Sequence, residues 1–274
     1  MKVIAVTNRK GGVGKSTMTS HIAAGLARKG YNVGLIDTDS QGHAGMMLGL
    51  PPEDGLYNLL IEKDTHPLED VIRIVPKENY GEIGEVGNLY LIPSAENTYK
   101  IPHLLQADES FLFFAKVEDF SEVAQLDFVL IDTNPSMSMF DGSIYLAADA
   151  FIYVTECEML SLQGVQKALQ QMNNFRTQRK RFLQRDSKVL GIIPNKYRVK
   201  TLIHERNVEV LQDAFGDLVW EPIMLRTIWA EASNFHTPVF IHAPESKAAQ
   251  QAWEIVNRTE RELRVWQTTT EKKD

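Results

Sequence analysis

Apolar residues fall along this chain in two alternating patterns: short unbroken runs, and longer stretches with helical spacing. The runs are Val3–Val6, Leu89–Ile92 closed by Pro93, Phe128–Ile131 ending at Asp132, Phe151–Val154, Val189–Ile193 and Leu218–Trp220, and Asn32–Ile36 ending at Asp37 also reads as a strand. An uninterrupted apolar run of this length is the signature of a strand buried on both faces. Between the runs, Ser16–Lys29 carries Met18, Ile22 and Leu26 on one helical face, and Gly55–Ile61, Ile101–Phe120 and the stretches 161–184, 203–215, 227–234 and 246–266 also read as helices. Residues 62–87 are charged and contain glycine, and read as loop with one strand at Val71–Val75. Strand and helix alternating throughout predict an α/β fold, a mostly parallel doubly wound sheet with helices on both faces. No repeat, low-complexity tract or linker interrupts the pattern, so residues 1–267 are expected to form a single domain, followed by the polar tail 268–274.

Composition narrows the classes. Of 274 residues, 43% are apolar and 24% charged, ordinary values for a globular protein. No apolar run approaches the ~18 residues of a transmembrane helix, and the first strand starts at once, with no signal peptide before it. The single cysteine, Cys157, excludes an internal disulfide framework and fits a reducing cytoplasm. The seven histidines show no metal-ligand spacing. Net charge is −7, yet the segment from Arg176 to Lys200 holds nine basic residues and one acid, Asp186. A basic stretch on an acidic chain points to a polyanionic partner.

The chemistry concentrates after the first strand, in Lys10-Gly11-Gly12-Val13-Gly14-Lys15-Ser16-Thr17. Strand, glycine-rich loop and helix together make a phosphate-binding loop. Glycines let successive backbone N–H groups converge on one anion, and the helix N-terminus adds partial positive charge. Lys15 would reach the β- and γ-phosphates, and the Ser16 hydroxyl would bind Mg²⁺. The common pattern G-x-x-x-x-G-K-[ST] is not met, because Arg9 stands where its first glycine belongs. Instead the loop carries a second lysine, Lys10, and resembles the deviant phosphate loop K-G-G-x-G-K-[ST] of the ParA/Soj/MinD ATPases. That resemblance implies a P-loop NTPase fold and a Lys10 that crosses a dimer interface to the other subunit's nucleotide.

Three further segments carry the same resemblance. Asp37-Thr38-Asp39-Ser40-Gln41-Gly42 is similar to the family's D-x-D-P-Q-G, with Ser40 in place of proline. Asp39 matches the carboxylate that positions the attacking water, and Asp37 would sit near the Mg²⁺ shell. Asp132-Thr133-Asn134-Pro135-Ser136 follows an apolar strand as a Walker B aspartate does, which makes Asp132 a Mg²⁺ ligand directly or through water. The family writes D-x-P-P-S there, and Asn134 replaces the first proline. Gly191-Ile192-Ile193-Pro194-Asn195-Lys196 resembles the strand end whose asparagine reads the adenine edge, a task suited to an amide that both donates and accepts. Glu156–Gly164, Pro238–Phe240 and Lys247–Gln250 also match family segments, without obvious chemistry, so the resemblance covers residues 2–266.

The resemblance therefore implies a Mg²⁺-dependent ATPase. Gly11, Gly12, Val13, Gly14, Lys15, Ser16 and Thr17 would hold ATP with Asn195, while Lys10, Lys15 and Asp39 promote hydrolysis. It implies a homodimer when ATP is bound, non-specific DNA binding on the nucleoid, and a ParB-like adaptor that stimulates hydrolysis while a cargo is segregated or positioned. No helix-turn-helix stretch precedes the loop, as in the family's short form. The DNA-contact candidates are Arg176, Arg179, Lys180, Arg181, Arg185, Lys188, Arg198 and Lys200; no base-reading motif appears, so no sequence preference is expected. The runner-up is a MinD-like membrane-associated ATPase. Against it, Trp253, Val256, Leu263 and Trp266 fit a last helix docked on the core better than a membrane anchor with a basic polar face. A P-loop metabolic ligase would need a small-molecule pocket that neither Lys10 nor the basic stretch serves. An iron–sulfur ATPase needs two cysteine ligands per subunit, and a bacterial tyrosine kinase a tyrosine-rich tail.

Overall fold

In β1 (Lys2–Thr7), Val3 and Ala5 enter one hydrophobic core while Ile4 and Val6 enter another. The same period-two alternation recurs in β5, where Val129 and Ile131 oppose Phe128 and Leu130. A strand apolar on both faces is stable only in the middle layer of a three-layer sandwich. In this computed structural model, which describes residues 1–81, 86–106, 109–134, 139–158 and 161–270, that layer is a seven-stranded sheet. Its other strands are β2 (Val33–Asp37), β3 (Arg73–Ile74), β4 (Leu89–Ile92), β5 (Phe128–Asp132), β6 (Ala150–Glu156) and β7 (Lys188–Asn195), and the spatial order is β3-β4-β2-β5-β1-β6-β7. All pairings are parallel except β3 with β4 at the edge.

The described helices are α1 (Lys15–Arg28), α2 (His43–Met46), α3 (Gly55–Leu60), α4 (Leu68–Val71), α5 (Ile101–Leu104), α6 (Leu112–Val123), α7 (Met139–Ala147), α8 (Ser161–Leu183), α9 (Leu202–Phe215), α10 (Thr227–Asn234), α11 (Val239–His242) and α12 (Lys247–Thr270). Helices α1, α11 and α12 cover one face, and α3, α6, α7 and α8 the other. Helix α12 lies on α1, with Val256 and Leu263 fully buried, as expected for a docked last helix. It approaches so closely at Gly25 that a Cβ there would stand 2.4 Å from Val256 Cγ2. Lys29 pairs with Glu260, and the Tyr31 hydroxyl donates to Glu260 at 2.7 Å, fixing the two helices in register.

Four expectations need correction. The strand expected over Val71–Val75 is shorter than expected: Val71 ends α4, Arg73 and Ile74 pair with β4, and Val75 N adds one bond to the Leu89 carbonyl before Pro76. Ile101–Phe120 is two helices, because Leu105 turns extended (φ −63, ψ 128) after α5 and α6 begins only at Leu112; residues 107–108 lie outside the described residues. Leu218–Trp220 makes a single bridge, Val219 to Ile192, rather than a strand. Helix α7 was not anticipated, since Phe140, Ile144, Tyr145 and Ala147 all face the core and leave a helical period hard to see in so short a segment.

A fifth correction concerns charge. Arg179, expected on the surface among the DNA contacts, is wholly buried. Its Nε donates to the Leu146 carbonyl at 2.9 Å, Nη1 to the Asp186 carbonyl at 2.7 Å, and Nη2 to Asp149 Oδ1. Asp149 Oδ2 in turn accepts from Val3 N at 2.9 Å. One guanidinium thus ties α8 to the end of α7 and to the N-terminal ends of β1, β6 and β7. A planar fork with several fixed donors suits this geometry, where a lysine would not.

Candidate nucleotide site

The carboxyl ends of the parallel strands open onto a cleft at the opposite end of the sheet, where ligands of doubly wound folds collect. The loop from β1 to α1 lines it. Lys10 N donates to Asn8 Oδ1 at 2.9 Å, which closes the turn after the strand. Gly12 (φ +73) and Gly14 (φ +99) are left-handed, and a Cβ on Gly14 would stand 2.3 Å from Asn195 Nδ2. No side chain caps α1, so its first-turn N–H groups are left for an anion. Lys15 is buried, and its ammonium donates to the Lys10 carbonyl at 3.2 Å. Burial lowers its pKa, opposed by the nearby Asp132 and Asp39 carboxylates. Gly11, Gly12, Gly14, Lys15, Ser16, Thr17 and Asp39 line a single cleft of about 580 Å³.

Asp37 and Asp132 end adjacent strands and stand side by side in the β2–β5 register. Both are fully buried, and they differ in how they are satisfied. Asp37 accepts from Asp39 N at 2.9 Å and from Ala44 N at 3.0 Å, one bond to each oxygen. Burial, then Asp132, pushes its carboxyl well above the usual range. Its observed task is to fold the loop that carries Asp39, whereas the family resemblance implies a place near the metal shell. Asp132 Oδ1 accepts from Thr19 Oγ1 at 3.2 Å, and the Ser16 hydroxyl lies close enough to favour the ionised carboxylate. Asp132 Oδ2 is buried with no hydrogen-bond partner. Burial raises the pKa of this group to about 7, against the hydroxyls of Ser16 and Thr19 and the charge of Lys15. A buried orphan oxygen beside a serine hydroxyl is a hard-oxygen donor set of the kind Mg²⁺ requires, so the residues fit that ion. Asp39 projects into the same cleft, with Oδ1 accepting from Gln41 N at 3.1 Å. Thr38 Oγ1 donates to the Asp132 carbonyl at 2.8 Å and holds the two acidic loops together. Pro135 and Ser136 lie outside the described residues.

Asn195 is buried and spends one amide N–H on the Val13 carbonyl at 2.7 Å, bracing the phosphate loop. It also lines a cavity of about 230 Å³ with Gly12, Gly14, Thr17, Arg226 and Trp229. Arg226 Nε and Trp229 Nε1, both buried, have no hydrogen-bond partner there. No motif in the sequence marks either residue. Nor does any motif assign a role to Glu156, Glu158 or Lys196. The available signal is positional: Glu156 and Lys196 stand at the carboxyl ends of β6 and β7, which open on the cleft.

The basic stretch does not form one patch. Strand β7 separates its two halves by about 23 Å. Arg176, Lys180, Arg181, Arg185 and Lys188 lie at the amino end of β7, and Arg198 and Lys200 at the carboxyl end. Arg176 and Lys180 share Asp186, and Arg185 pairs with Glu118. Lys188 is half-buried, its ammonium over the Trp266 ring and bonded to the Glu262 carbonyl at 3.2 Å. Arg181, Arg198 and Lys200 are exposed and make no ion pair among the described residues.

A parallel sheet with an uncapped helix, a glycine loop, a buried lysine and an unfinished carboxylate at its carboxyl edge defines a phosphate-loop nucleotide-binding protein. Comparison with known proteins narrows this. The family model described as an AAA domain matches residues 1–185. The chromosome-partitioning ATPase Soj of Thermus thermophilus is 31% identical over 90% of this chain and 90% of its own length. Two solved structures share the fold. MinD of Pyrococcus horikoshii, complexed with Mg-ADP, has a TM-score of 0.71 at 22% identity, over 94% of this chain and 95% of that one. Cobyrinic acid a,c-diamide synthase of Mycobacterium smegmatis, with ADP and magnesium bound, has a TM-score of 0.73 at 23% identity, over 98% and 96%. The chain belongs to the ParA/Soj/MinD family of P-loop ATPases.

Proposed function

We propose that this ATPase is a ParA-type switch: it dimerises around ATP, binds DNA without sequence preference, and segregates or positions a cargo. The observation that carries the nucleotide half is one cleft at the head of an uncapped helix, lined by the glycine loop, Lys15, Ser16 and Asp39, with the half-satisfied Asp132 buried behind it. Gly11 to Thr17 cradle the phosphates through backbone N–H groups, and Lys15 leaves the Lys10 carbonyl for them. Ser16 and Asp132 would hold Mg²⁺, which neutralises phosphate charge when bound. Asp37 shapes the loop behind them. Asp39 orients the attacking water, and Lys10 acts on the nucleotide of the facing subunit. The base takes the cavity lined by Asn195, Arg226 and Trp229.

Arg181 at one end of β7, and Arg198 and Lys200 at the other, are the DNA contacts supported by their exposure. Arg176, Lys180 and Arg185 stay in the set because exposed ion pairs are weak and can exchange a carboxylate for a phosphate. Arg179 and Lys188 leave it. Dimerisation doubles each patch and raises avidity. A ParB-like adaptor would trigger hydrolysis, and the homodimer would ride the nucleoid. Residues 1–267 act as one unit. Against the membrane reading stands the burial of Val256 and Leu263 against α1, and no described helix is long and apolar enough to cross a membrane.

The test is duplex-DNA binding with ATP, ADP or no nucleotide at two salt concentrations. ATP-dependent, salt-sensitive binding that disappears in Lys10→Ala supports the switch. Absence of binding in every state removes the DNA half and leaves the ATPase.

A further inference from the structure

Beside the phosphate loop Lys10 belongs to a charged cluster whose other members, Glu156, Glu158 and Lys196, have no role above. The Lys10 ammonium does not reach outward: it pairs with Glu156 at the end of β6 and with Glu158 two residues on, at 2.7 Å from the latter. Glu156 has a second cation, Lys196, 2.9 Å away. Lys196 also donates to the Gly12 carbonyl at 2.6 Å, so it grips the phosphate loop itself. The side chains differ in exposure, and this decides their parts. Glu156 is 14% exposed, while Lys10 is 55% and Glu158 62% exposed. Glu158 is an outer clasp, whereas Glu156 is an inner hub that cannot be left without a cation, since a part-buried carboxylate stripped of its partner is costly. Burial raises the Glu156 pKa, yet the bonds from Lys10 and Lys196 outweigh it and keep the group ionised.

We propose that Glu156 is an exchange hub and Lys196 a positioning residue: in the isolated subunit Glu156 and Glu158 hold Lys10 in cis, and Lys196 keeps the hub neutral and Gly12 in place when Lys10 departs. This rests on the reading that Lys10 serves the facing subunit's nucleotide. The clasp sets a threshold, because dimerisation must first break the bonds of Lys10 to its own chain. Lys196 keeps that threshold low, since Glu156 is never uncompensated, and it prevents the loop from relaxing at Gly12, where φ is +73. Lys10 and Lys196 are therefore not equivalent: one moves and the other stays.

The test is the ATPγS- and Mg²⁺-dependent monomer–dimer equilibrium of the full chain, measured by sedimentation velocity, with the ATPase KM alongside. Glu158→Gln should tighten dimerisation by roughly two- to five-fold, the scale of one exposed ion pair. Lys196→Gln should weaken it about ten-fold and raise KM, with Lys196→Arg restoring both. The double change Glu156→Gln with Lys196→Gln should recover most of the dimerisation that Lys196→Gln removes, because no charge is then left unpaired. A merely structural Lys196 gives additive losses instead, and that overturns the hub. If Lys10→Ala abolishes dimerisation while Glu158→Gln and Glu156→Gln dimerise as the parent does, the clasp alone fails. If Lys10→Ala dimerises normally, the trans role of Lys10 fails and the clasp with it.

Discussion

Two buried carboxylates, one at each end of the sheet, show what separates architecture from a site. Asp149, at the amino end, has every bond it can use: Arg179 on one oxygen, Val3 N on the other, with the guanidinium satisfied in turn by two carbonyls. Asp132, at the carboxyl end, is buried more deeply still, yet one oxygen has no partner. The chain could have satisfied Asp132 as it did Asp149. Leaving it unfinished costs stability, and in the proposed site a bound cation would supply the missing partner.

The sharpest way to break the comparison is at the satisfied end. Arg179→Met leaves Asp149 buried and uncompensated, which should cost about 3–5 kcal/mol in urea unfolding and lower Tm by about 10 °C. Nucleotide affinity of the folded fraction should stay within two-fold, since the clamp lies at the far end of the sheet. A loss of nucleotide binding in molecules that remain folded would refute the division into structural and functional ends.

His21 in α1 is a third buried polar group, satisfied only while neutral. Val239 N donates to its Nε2 at 2.8 Å, so Nδ1 carries the proton and donates to the Thr17 carbonyl at 2.6 Å. Burial pushes its pKa down to about 4 from 6.5. Because the folded state resists protonation, this contribution is complete above pH 6.5 and is lost as pH falls from there to about 4. At pH 5 the loss should be about 2 kcal/mol. His21→Gln should remove that share of the pH dependence, as read from urea midpoints at pH 7.5 and pH 5.

Returning to the unfinished carboxylate, Asp132→Asn removes a buried charge that Lys15 offsets only in part while no cation is bound. The nucleotide-free chain should gain about 1–2 kcal/mol of stability at pH 8, while Mg²⁺-dependent ATP hydrolysis falls at least about 100-fold. A variant both less stable and inactive would place Asp132 with Asp149, as architecture.

These contrasts were only partly legible in the sequence. Buried strands announce themselves, because a parallel sheet covered on both faces needs runs such as Phe128–Ile131, and the phosphate loop is legible because glycines and lysines at fixed spacing have few other uses. The fate of each charge was not. Arg179 and Arg181 look alike in a basic helix, yet two positions along a helix is more than half a turn, and one side chain enters the core while the other meets solvent. Lys188 and Lys200 look like neighbours in one cluster, but a strand is a spacer, and β7 sends them to opposite ends of the sheet. The partners of Lys10 come from the end of β6, far away in sequence, and no local pattern predicts them.

The smallest expected effects test that split of the basic stretch. Arg181→Gln and Arg198→Gln each remove an exposed cation without an ion pair, so stability should move by less than about 0.5 kcal/mol. If both ends of β7 touch DNA, each change should weaken ATP-dependent binding a few-fold, and each should reduce the slope of log affinity against log salt by about one for every phosphate the dimer no longer neutralises. If only one end docks, a single variant will change the slope and the other will match the parent. That outcome would assign the DNA face to one end of the sheet: the amino end if Arg181 responds, or the nucleotide end if Arg198 does, where the same exposed residues would then report on the state of the site.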